Sequence, residues 1–525
     1  MPAPLLLMRA PECIVAMCPP LNGHLVTMLS RWFFQRHQSV LLHHRRSPEV
    51  SSGAATIGDS ALTGNYGVAR TVTDEAECSY CEETAQCWTV EDLADRLETA
   101  FEHHFIRTSD QPTAWQQSLL SDRESDYEWE RDGYPVLDAI EGAAEISRQA
   151  AKDVLAILDD KHGDFDSAAM GEETEFSPDS YYEEMGPNSQ VWHEEWRCFE
   201  ESLKKEARFF SRTAAAHLAL VFGDIDKLRT RDGRPLVVDA GPQFALNHLY
   251  RARVFQADEK LEEALCRPDL HLGSPPARLA SAGRMNARGI SVFYGATDAG
   301  VAIAEVRPPV GSKAAAAKFV IIRPLRLLDL TALEKVHDRG SIFDPSLKNR
   351  VERAAFLQSL GLRITRPVMP DDEAFDYLAT QAIADFLATE NEPRLDGIIF
   401  QSAQSKEGRN VVLFHKAARI EAMELPKGIE FNAYSGYGTE DGWETDYSVS
   451  ELVPPPASLP PKEDGGVFGF LSHHESAPRW SDDFREATLR VDPTSVEVHH
   501  VDWVQVQCTI YKVHRRRSEK HDWSF

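Results

Sequence analysis

The sequence predicts a multidomain chain in which an α-helical domain precedes an α+β domain. Three observations carry this reading. The chain has 525 residues, and at about 150 residues per domain that is roughly three domains. From about residue 76 to 235 apolar residues recur at helical spacing. From about 236 to 424 short β-rich runs alternate with helical ones.

Composition bounds the function classes. Hydrophobic residues are 42% and charged residues 26%, ordinary for a chain that buries large cores. The net charge is −27, from 56 Lys and Arg against 83 Asp and Glu. Such a surface repels phosphate backbones, so nucleic acid is not an expected partner. No uninterrupted apolar run reaches about 18 residues, so no membrane partner is expected. Eight cysteines are too sparse for a disulfide-built scaffold, and a reducing cytoplasm fits them.

Residues 1–75 stand apart. The apolar opening is interrupted by Arg9 and Glu12, unlike a signal peptide. SSGAATIGDS reads as linker. This stretch is expected to be a disordered extension, or to reflect a start assigned too far upstream.

The helical domain, 76–235, shows three apolar periodicities. Thr89 followed by Asp92 resembles a capping box, and Val90, Leu93, Ala94, Leu97, Phe101 and Phe105 then share one face. The run VLDAIEGAAEISRQAAKDVLAILDDK repeats the pattern with Ile140, Ala143, Ala144, Ala151, Val154, Leu155 and Leu158. A third carries Trp192, Trp196, Phe199, Leu203 and Phe210, with Gly223 as its C-cap. The acidic stretch GEETEFSPDSYYEEMGPNSQ reads as an irregular loop.

In the α+β domain, 236–424, the β-rich runs are ISVFYGA, KFVIIRPLRLLDL, LDGIIFQS and NVVLFH. Helical runs lie between them: DAGVAIAEV, SLKNRVERAAFLQSL and DEAFDYLATQAIADFLATE. Residues 425–525 begin irregular and Pro-rich. They end in VEVHHVDWVQVQCTIYKV, which reads as a strand or hairpin completing the α+β domain.

P-loop, Rossmann, H-E-x-x-H and G-x-S-x-G signatures are absent. What remains is a constellation in the α+β domain. Arg284 and Asn286 lie in a loop feeding a strand, Tyr294 ends that strand, Glu305 lies near the end of the next helix, and Ser402 ends a later strand. One permanent cation, one phenol, one carboxylate and one hydroxyl suit an anionic, ring-bearing substrate. Arginine holds a diphosphate bidentately, tyrosine stacks on a ring, and a carboxylate stabilises an oxocarbenium-like transition state.

GRMN-x3-GISVFYGA-x-D-x5-AIAEVRP, then YLATQAIADFL, LDGIIFQSAQ and RNVVLFH, closely resembles the RES family, in family order over most of 248–421. Upstream, CSYC, YEWERDG, GEETEFSPDSYYEE and FEESLKKEARFFSRTAAAHL resemble the HEPN/RES N-terminal domain. The resemblance implies an ADP-ribosyltransferase-type fold and a toxin that destroys NAD by hydrolysis or phosphorolysis. NAD is then a substrate, with no separate cofactor. Phosphate, an antitoxin protein and a second copy of the chain are the partners it brings into view. By motif, Arg284 would hold the pyrophosphate or orient the nicotinamide ribose, Tyr294 would stack on nicotinamide, Glu305 would support charge on the ribose, and Ser402 would hydrogen-bond substrate. Arg251 or Arg253 in LYRAR would add a phosphate contact, and Asn286 completes the binding set. Met285 stands where the family often has Trp, which removes an aromatic wall.

Two further sets lie in the helical domain. Cys78, Cys81 and Cys87 with His103 make a weak Cys3His zinc candidate, and the expectation is no metal. Arg96 and His103 have the R-x6-H spacing of HEPN ribonucleases, whose histidine acts as general base. An RNA-cleaving protein and a nucleotide-binding module without turnover are therefore the rivals to a NAD-consuming enzyme.

Overall fold

A computed structural model describes residues 14–16, 76–80, 84–85, 87–405, 407–440, 442–454, 483–505 and 508–517. The expected N-terminal extension lies outside the described residues except at 14–16. The chain forms two compact units, one of residues 1–189 with 338–355, the other of 190–337 with 356–525. The sequence placed a boundary near 235; the compact units divide at 189/190.

The first unit is built on three helices. In α1 (Val90–His104) the Thr89 hydroxyl caps the backbone N–H of Asp92, and Leu93, Leu97 and Phe101 are buried. The next apolar run is not continuous. It forms α2 (Val136–Ala144) and α3 (Arg148–His162), broken at Glu145, which takes a left-handed φ of 53°. Ser147 then caps α3. The break lets both pieces turn their apolar faces onto one core.

The acidic stretch is more ordered than its composition suggests. Strands β1 (Phe105–Arg107), β2 (Tyr134–Pro135) and β3 (Tyr181–Glu184) form a small sheet with β3 in the centre. Phe176 and Tyr182 are buried, and both rings pack on Phe101. Three aromatic side chains outweigh the surrounding charge, because each buries far more apolar area than the loop backbone costs to order. Arg131 grips Glu173 through two parallel bonds of 2.8 and 2.7 Å and also donates to the Thr108 and Asp179 carbonyls. This pair ties YEWERDG to the acidic stretch.

The second unit begins with α4 (Gln190–Lys205) and α5 (Arg212–Phe222). Trp192, Trp196 and Phe199 are buried, and the two tryptophans pack on Phe356 of α7 (Leu347–Thr365). Phe210 does not belong to this face. It lies between the helices at a left-handed φ of 62° and is fully exposed.

A nine-stranded sheet forms the body of this unit. Its strands are β4 (Val237–Ala240), β5 (His248–Phe255), β6 (Phe293–Ala296), β7 (Lys313–Ile321), β8 (Leu325–Asp329), β9 (Gly397–Gln401), β10 (Arg409–Leu413), β11 (Leu489–Val491) and β12 (Glu497–His500). The order is β11-β7-β5-β6-β10-β9-β8-β4, with β12 also on β7. All pairs are antiparallel except β8 with β9. KFVIIRPLRLLDL therefore supplies two strands. Among its described residues the C-terminal run gives one strand, β12, and Ile510 and Tyr511 beyond it are exposed.

The sheet has two unlike faces. Leu249, Phe255, Phe293, Phe319, Val411 and Leu413 fill a large core on one. On the other, α6 (Ala299–Glu305) covers Ala252, Ala296 and Ala316 through Val301 and Ala302. Asp298 caps α6 by accepting from the N–H of Gly300 and Val301. Helix α8 (Glu373–Thr389) packs against α4, α5 and β9. No helix among the described residues is long and apolar enough to cross a membrane.

Candidate functional site

Strand alternation sorts the site residues onto one face. Ala296 packs against α6, so Tyr294, two residues away, leaves β6 on the same side. Asn410 pairs with Ala296 across the ladder and shares that side. Glu305 is the last residue of α6, and Ser402 follows the end of β9. In register, Tyr294 and Asn410 are diagonal neighbours, roughly 7–8 Å apart by sheet geometry.

Glu305 is the centre of a polar cluster. The Ser402 hydroxyl donates to Oε1 at 2.5 Å, and the Asn410 amide donates to the same oxygen at 2.8 Å. Ser402 is itself held, accepting from the backbone N–H of Gln404 at 3.1 Å and of Ser405 at 3.2 Å. Ser402 and Asn410 are buried while Glu305 is partly open. Among the described residues nothing hydrogen-bonds to Oε2. A carboxylate fixed through one oxygen presents the other to a partner.

Tyr294 anchors a second cluster. Its hydroxyl donates to Asn286 Oδ1 at 2.9 Å and accepts from the Met285 N–H at 3.0 Å. The Asn286 amide in turn donates to the Ser281 and Ile290 carbonyls at 2.9 and 3.0 Å. Burial pushes the Tyr294 phenol up to about 12. Gly283 is required at this point. A Cβ there would lie 2.7 Å from both Asn286 Oδ1 and the Tyr294 hydroxyl oxygen. Met285 is buried.

Arg284 occupies the same loop. One guanidinium nitrogen donates to the Ile364 carbonyl at 2.6 Å, and the guanidinium carbon lies 5.2 Å from the centre of the Tyr377 ring. Thr380 donates to the Arg284 carbonyl at 2.5 Å and Gln381 to the Gly283 carbonyl at 2.9 Å, so α8 fixes the backbone of GRMN.

The two arginines of LYRAR part company with this face. They leave β5 on the side of Leu249 and Phe255, opposite α6. Arg251 is packed 5.2 Å above Phe293 and donates to the Tyr294 carbonyl at 3.0 Å. Desolvation, with Arg253 beside it, pulls its pKa down to about 10. Arg253 turns to the His271 carbonyl at 2.9 Å. The structure therefore brings Arg251 to the Tyr294 backbone from behind, and leaves Arg253 apart. Side chains at i and i+2 share a face, so neither could join Glu305.

In the helical unit, Cys78 is buried. Cys81 and the Cys87 side chain lie outside the described residues, and His103 is exposed. Among the described residues no group of three or more His, Cys, Asp and Glu is arranged to hold a metal. Arg96 is partly buried against Trp88. Its guanidinium lies 3.7 Å over the Trp88 ring, and burial holds its pKa below the usual value.

Asn410, Thr380, Gln381, Tyr377 and Arg307 were not picked out from the sequence as candidates. A signal existed for three. Asn410 is a polar residue opening the apolar run NVVLF, and Thr380-Gln381 interrupt an apolar helical run. Buried polar residues in such places need partners.

The fold and site define an α+β domain with two polar clusters, one on Glu305 and one on the Tyr294 hydroxyl. Residues 249–431 match the RES domain family, and every candidate site residue of the α+β domain falls within that span. Strands β4, β11 and β12 lie outside it and extend the same sheet. No curated protein and no solved structure matches the chain.

Proposed function

We propose that the RES domain cleaves the nicotinamide N-glycosidic bond of NAD, by hydrolysis or phosphorolysis, as a toxin or defence enzyme. The observation that carries this reading is the Glu305 carboxylate, fixed through Oε1 by Ser402 and Asn410 with Oε2 unpartnered among the described residues. A preorganised carboxylate is what a developing ribosyl cation needs.

In this reading the bond between ribose C1′ and the nicotinamide nitrogen breaks, and its electron pair leaves with nicotinamide. Positive charge develops on the ribose and is met by Glu305. Water or phosphate then attacks C1′, and for water the released proton passes to solvent by way of Glu305. Ser402 acts by holding the carboxylate. Tyr294 supplies a ring surface, its hydroxyl fixed by Asn286. Arg284 supplies positive charge for the diphosphate. The helical unit is read as the HEPN-like N-terminal domain, supported by the Arg131–Glu173 clamp joining two of its motif pieces.

The test is incubation of the full chain with NAD, with and without phosphate, and identification of products. Nicotinamide with ADP-ribose, or with its 1″-phosphate, supports the proposal. Intact NAD under both conditions overturns it.

A further inference from the structure

The GRMN turn is gripped from two sides. The Gly283 N–H donates to the Asn286 carbonyl at 3.0 Å, which closes a tight turn with Arg284 and Met285 at its tip. From the sheet, the Tyr294 hydroxyl accepts from the Met285 N–H at 3.0 Å. From α8, Thr380 donates to the Arg284 carbonyl at 2.5 Å and Gln381 to the Gly283 carbonyl at 2.9 Å. Gly283, Arg284 and Met285 thus each have a backbone group bound by a side chain from outside the turn.

Tyr377, Thr380 and Gln381 stand at i, i+3 and i+4 of α8, so they share one helix face. That face meets Arg284 at both ends. Thr380 and Gln381 hold its backbone, and the Tyr377 ring lies 5.2 Å from its guanidinium carbon. The Tyr377 hydroxyl donates to Glu373 at 3.1 Å, so the ring is the part of Tyr377 that serves the cation. Thr380 is buried, and a helical threonine ordinarily gives its proton to a carbonyl one turn back. The Tyr377 carbonyl is there at 3.0 Å, yet the Arg284 carbonyl is the nearer acceptor. Among the described residues the guanidinium has one acceptor, the Ile364 carbonyl at 2.6 Å, which leaves most of its N–H donors for a ligand.

We infer that Thr380 and Gln381 are positioning residues for Arg284: they fix the backbone that carries its guanidinium, so that the cation is ordered before a dinucleotide diphosphate arrives. This rests on the proposed NAD reading and adds the α8 face to it. An arginine on an untethered turn would lose backbone and side-chain freedom on binding, and that loss is subtracted from affinity. Here folding has already removed that freedom. Gly283 and Arg284 are half-buried, and such a turn could leave both carbonyls to water. Committing a buried threonine and a glutamine to them is what holding a binding side chain to one geometry requires.

The experiment measures ADP-ribose binding to the full chain by calorimetry, below the thermal transition of each variant, beside NAD kinetics. Thr380→Val and Gln381→Met keep the shape and remove the donor. Together they should weaken ADP-ribose about tenfold. For NAD they should raise KM and leave kcat near the parent, because the diphosphate they help to hold does not react. Thr380→Ser keeps the hydroxyl and should keep parent affinity. In an Arg284→Ala background the same two substitutions should change ADP-ribose binding no further, since residues that act through one another are not additive. Parent affinity in the folded double variant, or its full loss repeated in the Arg284→Ala background, overturns the positioning role and leaves the NAD reading standing. If Thr380→Val does not fold, Gln381→Met, at a half-buried position, carries the same test alone. A chain that leaves NAD intact yet binds ADP-ribose through Thr380, Gln381 and Arg284 supports the positioning role and removes the enzyme. A wild-type chain that does not bind ADP-ribose overturns the positioning role as well.

Discussion

Ser402 donates its hydroxyl proton to Glu305 Oε1 across 2.5 Å, joining two residues 97 positions apart. The bond exists because α6 ends on the sheet face where β9 delivers Ser402 and β10 delivers Asn410. Three separate segments thus converge on one oxygen, and the other oxygen is left to act.

If that free oxygen faces a cationic transition state, Glu305→Gln should abolish NAD turnover with little effect on folding. The amide oxygen still accepts from Ser402 and Asn410, while the charge is gone. Loss of one preorganised electrostatic group costs on the order of 10²–10³ in rate. Turnover near wild type, with the melting temperature unchanged, removes Glu305 from the mechanism.

Asn410→Asp tests the electrostatics from the other side. It replaces a donor 2.8 Å from Glu305 with a second carboxylate. Two carboxylates sharing a site raise one pKa. The variant should lose activity as pH falls, at a higher pH than the parent. The raised folded-state pKa also makes stability fall as pH rises past the normal carboxylate range. A pH–rate profile superimposable on the parent would show that Asn410 does not act on Glu305.

Tyr294→Phe should cost about 1–3 kcal/mol of stability, because Asn286 Oδ1 and the Met285 N–H lose their shared partner. Denaturant unfolding measures this. The phenol is raised in the folded state from 10.0 to about 12. It destabilises only above its unfolded value, so the parent should lose stability between about pH 10 and 12 by this route and Tyr294→Phe should not. If the ring alone serves by stacking, NAD turnover falls little in Phe and severely in Tyr294→Ala.

The acidic stretch of the helical unit makes its own prediction. Phe176 is buried against Phe101 and Tyr182. Phe176→Ala should destabilise the first unit by about 3–5 kcal/mol, as truncation of a core aromatic does. Limited proteolysis should then cut within 171–190 first. Unaltered protection there would show that the stretch is held by Arg131 and Glu173 alone.

Local pattern was enough for much of this protein. Apolar period in the sequence was enough for α1, α6 and α8, and for α1 the Thr89 cap as well, because a helix face is written within a few residues. Motif order was enough to place Arg284, Tyr294, Glu305 and Ser402 in one domain that matches the RES family. Composition misled at 171–190, where charge concealed Phe176 and Tyr182, and beyond β12, where Ile510 and Tyr511 are exposed. Tertiary structure decided what depends on which strand lies beside which. It put Arg251 behind the sheet and Asn410 in front, a distinction set by alternation once β5, β6 and β10 are in register. It also set the left-handed backbone of Arg307, since a left-handed residue after a helix follows from packing around the chain and not from the identity of the residue itself.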